Sequence, residues 1–174
     1  MKNVVIISSS MRKGNSDKLS DELEKGAKEN NNVIRINLRN INLKFCISCC
    51  DCYNIGRCSL NDDMNSLYET IKNADVLVFA TPIYFGEMSG QLKVFLDRLY
   101  PIYQNLKAKE AYIIASCYKN SKQFINDSII GIKNFLKDAG DIKLKDVVYG
   151  ENTDGIDDVT QEQCEYAYNV GKQI

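Results

Sequence analysis

The chain has 174 residues, 44% of them apolar, enough for one domain with a buried core. Its 22 basic and 23 acidic residues are mixed along the sequence to a net charge of -1, which argues against a nucleic acid or an anionic membrane as partner. There is no histidine, so Ser-His-Asp and Cys-His nucleophilic machinery is excluded, and chemistry is expected from a bound cofactor, with no catalytic side chain. No apolar run approaches the roughly 18 residues of a membrane span. The run from Lys2 to Ile7 is too short for a signal-peptide core, and the expected location is the cytoplasm.

Lys2 to Ser9 contains a β-branched run of the kind buried on both faces of a parallel sheet. The hydroxyl-rich loop Ser8-Ser9-Ser10-Met11-Arg12-Lys13-Gly14-Asn15-Ser16 follows. Leu19, Leu23 and Ala27 then mark the apolar stripe of a helix that begins near Ser16. Such a unit can aim backbone N–H groups, hydroxyls and a helix N-terminus at one anion, with Arg12 or Lys13 adding positive charge. A phosphate is the natural guest, although Asn15 or Ser16 could equally serve only as a helix cap. The loop is neither G-x-G-x-x-G nor G-x-x-x-x-G-K-[ST], which leaves a mononucleotide open.

Val33 to Leu38 reads as the second strand. About twenty residues then precede the next helix, against the roughly 2 to 6 usual for such connections, and long loops of this kind are commonly functional. This connection, at about 40–62, carries Cys46, Cys49, Cys50, Cys52 and Cys58, five of the seven cysteines within thirteen residues. Taken as Cys46, Cys49, Cys52 and Cys58 the spacing is C-x2-C-x2-C-x5-C, which suits one compact soft-ligand site. An iron-sulfur cluster is the first reading. Zinc, usually held by two separated C-x2-C knuckles, and redox-active or unligated thiols are the alternatives. Cys50 is then the spare.

Asp62-Asp63 are expected to cap a helix from about Met64 to Asn73. Ala74 to Ala80 is a third buried strand, and Thr81-Pro82-Ile83-Tyr84-Phe85-Gly86 lies beyond its carboxyl end, where open parallel sheets bind ligands. Tyr84 and Phe85 could line a flat ring, and an ordinary turn set by Pro82 and Gly86 would read the same way. Leu92, Phe95, Leu96 and Leu99 mark a helix ended by Pro101, with Asp97 and Arg98 expected to be solvated or to face another subunit.

Ala111 to Ser116 is the fourth strand, with Cys117 a buried thiol at its end. Ile125, Ile129, Ile132 and Leu136 give a helix stopped by Gly140, Ile142 to Tyr149 a fifth strand, and Cys164, Ala167 and Val170 the stripe of a last helix. Five strands alternating with five helices make a three-layer α/β domain over 1–174, its parallel sheet covered on both faces.

The combination resembles the flavodoxin-like NAD(P)H-dependent FMN reductase superfamily and, within it, the iron-sulfur flavoproteins. The first loop is similar to the pattern G-S-x-R-x-x-G-N-[ST], keeping Ser9 and Gly14-Asn15-Ser16; Ser8 replaces glycine, and Arg12 stands one position after the usual arginine. Thr81 to Gly86, followed by Leu92-Lys93 and Phe95-Leu96-Asp97-Arg98, is similar to the flavin-ring loop and the helix after it.

The resemblance implies a five-stranded parallel sheet of order 2-1-3-4-5. It implies an FMN phosphate held by Ser9, Arg12, Gly14, Asn15 and Ser16, an isoalloxazine embraced by Pro82, Ile83, Tyr84, Phe85 and Gly86, and a third contact at Ser116. It also implies a 4Fe-4S cluster on Cys46, Cys49, Cys52 and Cys58, electron transfer between cluster and FMN, and a homodimer or homotetramer. Reduced ferredoxin or another small donor, or NAD(P)H, would supply electrons to a small-molecule acceptor. The alternatives are a cluster-free NAD(P)H-dependent FMN or quinone reductase, a non-enzymatic flavodoxin-like carrier, and a zinc loop on a flavin-free domain.

Overall fold

The structure is a computed structural model that describes all 174 residues. In chain order it contains β1 (Asn3–Ser8), α1 (Asn15–Ala27), β2 (Asn32–Asn37), a short α2 (Cys52–Ile55), α3 (Met64–Lys72), β3 (Val76–Tyr84), β4 (Glu87–Met88) and α4 (Gly90–Arg98). After these come β5 (Glu110–Ser116), α5 (Lys122–Ser128), α6 (Ile130–Asp138), β6 (Lys143–Gly150) and α7 (Gln161–Lys172). The parallel strands run in the order β2-β1-β3-β5-β6, the flavodoxin-like order expected, and helices cover both faces.

The strand runs look continuously apolar because both faces of the central strands are buried. Side chains alternate across a strand, and the two cores divide accordingly. Val5, Ile7, Leu77, Phe79, Ile113 and Ala115 pack with α3, α4 and α6 in one core; Val4, Ile6, Val76, Val78, Ala80 and Ile114 pack with α1 and α7 in the other. Helices α1 and α7 cross at Gly26 and Gly171, where an added Cβ would lie 2.1 Å from the Tyr168 and Leu23 carbonyl oxygens respectively.

Register decides what meets at the carboxyl edge. Ser8 pairs with Ala80 and Pro82 with Ser116, so the first loop, the end of β3 and the end of β5 lie side by side. Three hydroxyls tie this edge together from behind. Ser9 Oγ donates to the Ala80 carbonyl at 2.9 Å and accepts from Ser89 Oγ at 2.8 Å, while Thr81 Oγ1 accepts from the Ser89 N–H at 2.9 Å.

Three expectations are corrected. The segment after Ala80 is not all loop: β3 continues to Tyr84, turns at Phe85 (φ 51°) and Gly86 (φ 79°), and returns as a sixth, two-residue antiparallel strand that pairs Met88 with Ile83. A tight hairpin turn needs such positive φ values, which glycine supplies freely and phenylalanine at a cost. The helix expected through Ile125 to Leu136 is two pieces, because Ile129 leaves helical geometry at φ -103°, ψ 12°. Arg98 is neither solvated nor turned outward; its side chain is 1% exposed, paired with a fully buried Asp62.

Candidate functional site

Two cavities gather the residues singled out in the sequence. The first is a cleft of about 160 Å³ at the carboxyl edge, lined by Ser10, Arg12, Gly14, Asn15, Ser16, Pro82, Ile83, Tyr84, Ser116, Cys117, Tyr118, Thr153 and Asp154. Helix α1 opens directly onto it. The first N–H groups of a helix have no intrahelical acceptor, and the positive end of the helix dipole favours an anion there. Ser16 Oγ lies 2.6 Å from Ser116 Oγ, joining the helix start to the end of β5. Asn15 is anchored on both sides, Nδ2 donating to the Gly155 carbonyl at 2.7 Å and Oδ1 accepting from the Asp158 N–H at 2.9 Å. The 153–158 loop is thereby drawn over the helix start.

Not all of the residues expected at the flavin line this cleft. Arg12 lines the cleft despite its shifted position. Ser9 does not: its hydroxyl bonds behind the cleft to Ala80 and Ser89, and Ser10 takes the lining position, its own hydroxyl donating to the Arg12 carbonyl. Pro82, Ile83 and Tyr84 line the cleft, whereas Phe85, fully exposed, and Gly86 border an adjoining bay of about 560 Å³ with Tyr118, Lys119 and Phe124. Lys119 Nζ stands 4.0 Å from the Phe124 ring centroid. Burial pushes the Cys117 thiol up, so this cleft residue is a neutral thiol, its Sγ donating to the Lys119 carbonyl at 3.2 Å.

Buried hydroxyls, a helix start and an arginine beside a wall of proline, isoleucine and tyrosine match a ligand with an anionic end and a flat apolar body. FMN has that chemistry.

The second cavity, of about 200 Å³, is lined by all five loop cysteines with Tyr53, Asp97, Arg98, Tyr100 and Pro101 among its other walls. Left-handed backbone at Ser48 (φ 53°), Cys50 (φ 61°) and Gly56 (φ 66°) coils the loop so that its thiols face one space. Cys50 Sγ turns back to within 3.5 Å of the Ser48 carbonyl. Asn65 Nδ2 donates to the Cys58 and Leu60 carbonyls at 3.2 and 3.1 Å, fixing the return of the loop. The Tyr53 hydroxyl bonds to that of Tyr100, with the rings edge to face and 5.3 Å between centroids.

Burial raises the Cys52 thiol, and charge at Cys58, Cys49 and Cys46 raises it further. Charge on one of these thiols would therefore oppose charge on its neighbours, and a cationic centre among them would remove that penalty. The donor set is therefore that of a soft, thiolate-held centre, although no three Cys, Asp or Glu side chains close on one point in this structure.

Beneath this cavity lies a buried fork. Arg98 Nη1 and Nη2 donate to Asp62 Oδ2 and Oδ1 at 2.6 and 2.9 Å, and Nη1 also donates to the Lys44 carbonyl at 2.6 Å. Asp62 in turn accepts from the backbone N–H groups of Lys44 and Met64 at 2.8 and 3.1 Å. It clamps both ends of the cysteine loop and is not merely the expected helix cap. Burial opposes the Asp62 carboxylate more than any single partner favours it, but the Arg98 hydrogen bonds and charge and the Lys44 and Met64 N–H groups together hold its pKa below the usual range.

The sequence reading missed Arg98, Ser10, Tyr118, Thr153 and Asp154. A signal existed for Arg98, three residues after Phe95 and so on the edge of its buried stripe. The Gly150-to-Gly155 run marked a turn at the end of the last strand.

Residues 1–127 match the family described as NADPH-dependent FMN reductase. An iron-sulfur flavoprotein of Clostridioides difficile is 29% identical over 142 residues, covering 79% of this chain and 62% of that protein. One from Archaeoglobus fulgidus is 31% identical over 105 residues, 58% of this chain and 46% of that protein. The matched stretch thus spans about half to three fifths of these relatives' own lengths. An NAD(P)H:quinone oxidoreductase from Methanothermobacter marburgensis superimposes with a TM-score of 0.78 at 17% identity, over 99% of this chain and 95% of that one, a likeness of fold. No helix is long and apolar enough to cross a membrane.

Proposed function

The chain belongs to the NADPH-dependent FMN reductase family, and from that premise we propose that it is an FMN oxidoreductase that also holds a 4Fe-4S cluster and passes electrons between the two. FMN exchanges one or two electrons and a 4Fe-4S cluster one at a time, so together they join one-electron and two-electron chemistry.

The protein's part is binding and orientation. The start of α1, Ser10, Ser16 and Arg12 would hold the phosphate. Pro82, Ile83, Tyr84 and Tyr118 would flank the ring and exclude water from it, with Ser116 near its rim. Cys46, Cys49, Cys52 and Cys58 would supply the four thiolates, with Cys50 left over. The observation that carries the reading is that these four cysteines line one cavity in a chain whose carboxyl edge carries a second cleft with the lining expected for a mononucleotide. Reduced ferredoxin or a similar small protein is the proposed donor, a small molecule the acceptor, and a homodimer or homotetramer the assembly.

A second reading, a cluster-free NAD(P)H-dependent FMN or quinone reductase whose cysteines shape a substrate loop, is favoured by the open spacing of the thiols. One experiment separates the two. Protein purified without oxygen is assayed for flavin, iron and acid-labile sulfide per chain. FMN with about four irons and four sulfides supports the cluster. FMN without either, in protein never exposed to air, overturns it and makes NAD(P)H oxidation the next assay.

A further inference from the structure

A guanidinium carries five N–H donors in a rigid fork. In Arg98 the two terminal nitrogens are committed to Asp62 and the Lys44 carbonyl, but Nε has no acceptor, although the side chain is 1% exposed. Buried donors are nearly always satisfied, so an orphan on a charged group asks for an explanation. Arg98 shares the wall of the cysteine cavity with Cys58.

We propose that the spare Nε–H of Arg98 donates to the Cys58 sulfur when the loop thiolates hold their redox centre, and that Arg98 thereby sets that centre's reduction potential. This rests on the cluster reading above. Reduction adds one electron to a group already surrounded by thiolate charge. A fixed cation and a hydrogen bond to a ligand sulfur favour the more negative form, so the potential rises. Arg98 exchanges neither an electron nor a proton; it is a positioning residue. The Lys44 carbonyl also holds the fork, and the Asp62 carboxylate offsets part of the guanidinium's charge. The two side chains therefore act on the potential with opposite sign.

The test uses the wild type, Arg98→Lys and Asp62→Asn, each purified without oxygen and assayed for iron and sulfide. Each is then titrated with redox mediators while cluster and FMN absorbance are followed separately. Arg98→Lys, which keeps the charge and loses Nε–H, is expected to lower the cluster midpoint by about tenfold in the reduction equilibrium, or about 59 mV for one electron. The FMN midpoint stays where it was, and Asp62→Asn raises the cluster midpoint.

A loaded Arg98→Lys protein with the wild-type cluster midpoint overturns the proposal. If that variant fails to fold, Asp62→Asn decides, since an unchanged or lowered cluster midpoint overturns it equally. Wild-type protein with FMN and no iron or sulfide removes the cluster reading first, and the role of Arg98 falls with it, so the two failures are told apart.

Discussion

Ser16 and Ser116, a hundred residues apart in sequence, place their hydroxyl oxygens 2.6 Å from each other and so bind the start of α1 to the end of β5. Both line the cleft, and Ser16 is among the most deeply buried polar residues in the chain. A hydrogen bond to a charged group contributes about 1.5 to 3 kcal/mol, roughly a tenfold to hundredfold change in binding. Ser16→Ala is therefore expected to raise the Kd for FMN by about tenfold or more, read by fluorescence titration of the flavin-free protein. Ser116→Ala, at the rim, is expected to do less. Equal and negligible effects would show that the phosphate lies elsewhere.

The Asp62–Arg98 pair links stability to pH. The folded carboxylate titrates below its ordinary value, so its contribution is fully present above the unfolded pKa of about 3.9 and is lost as pH falls through the lower folded value. Asp62→Asn is expected to cost about 3 to 5 kcal/mol near neutral pH, because it leaves the Arg98 charge buried without its counterion. The same substitution should flatten the acid side of the stability curve. Urea midpoints measured from pH 3 to pH 7 check both statements, and a variant as acid-sensitive as the wild type contradicts the second.

Gly26 and Gly171 are the next-to-last residues of α1 and α7, in helical backbone where alanine ordinarily favours the helix, by up to about 1 kcal/mol in a helix interior. Here the sign reverses. A methyl group at either position would stand 2.1 Å from a backbone carbonyl of the facing helix, which cannot move aside as a flexible side chain could. Gly26→Ala and Gly171→Ala are each expected to destabilise by about 1 to 3 kcal/mol, with about 2 to 4 °C lost in Tm for each kcal/mol. FMN affinity should hold, because neither glycine touches the cleft.

How much of this was legible follows from which forces are local. The continuous apolar runs at Val4–Ile7 and Val76–Ala80 announced buried parallel strands, and the segments after them marked the carboxyl edge where the cleft lies. The cysteine spacing located the second cavity. Strand pairing was less visible. That Pro82 would sit beside Ser116, that β3 would run on to Tyr84, and that Ser9 would face away from the cleft depend on register, which no single stretch encodes. Arg98 was misplaced for a similar reason. A helical Asp-Arg pair reads as solvated until a carboxylate 36 residues earlier arrives to neutralise it.

The five loop cysteines share one cavity yet should not behave alike. Cys46, Cys49, Cys52 and Cys58 have the spacing of a four-thiolate site, whereas Cys50 is turned back onto its own loop at the Ser48 carbonyl. Cluster assembly needs all four ligands, and serine replaces a soft thiolate with a hard, weakly acidic hydroxyl. Cys46→Ser, Cys49→Ser, Cys52→Ser and Cys58→Ser should each lose most iron and sulfide, while FMN is retained at the separate cleft. Cys50→Ser should keep its iron, as should Cys164→Ser, whose thiol packs against the α1 and α7 core. Iron and sulfide per chain across the six variants settle the ligand set. If Cys50→Ser loses its iron and Cys49→Ser does not, the two neighbours exchange roles and the turn at Cys50 must reverse when the centre is bound.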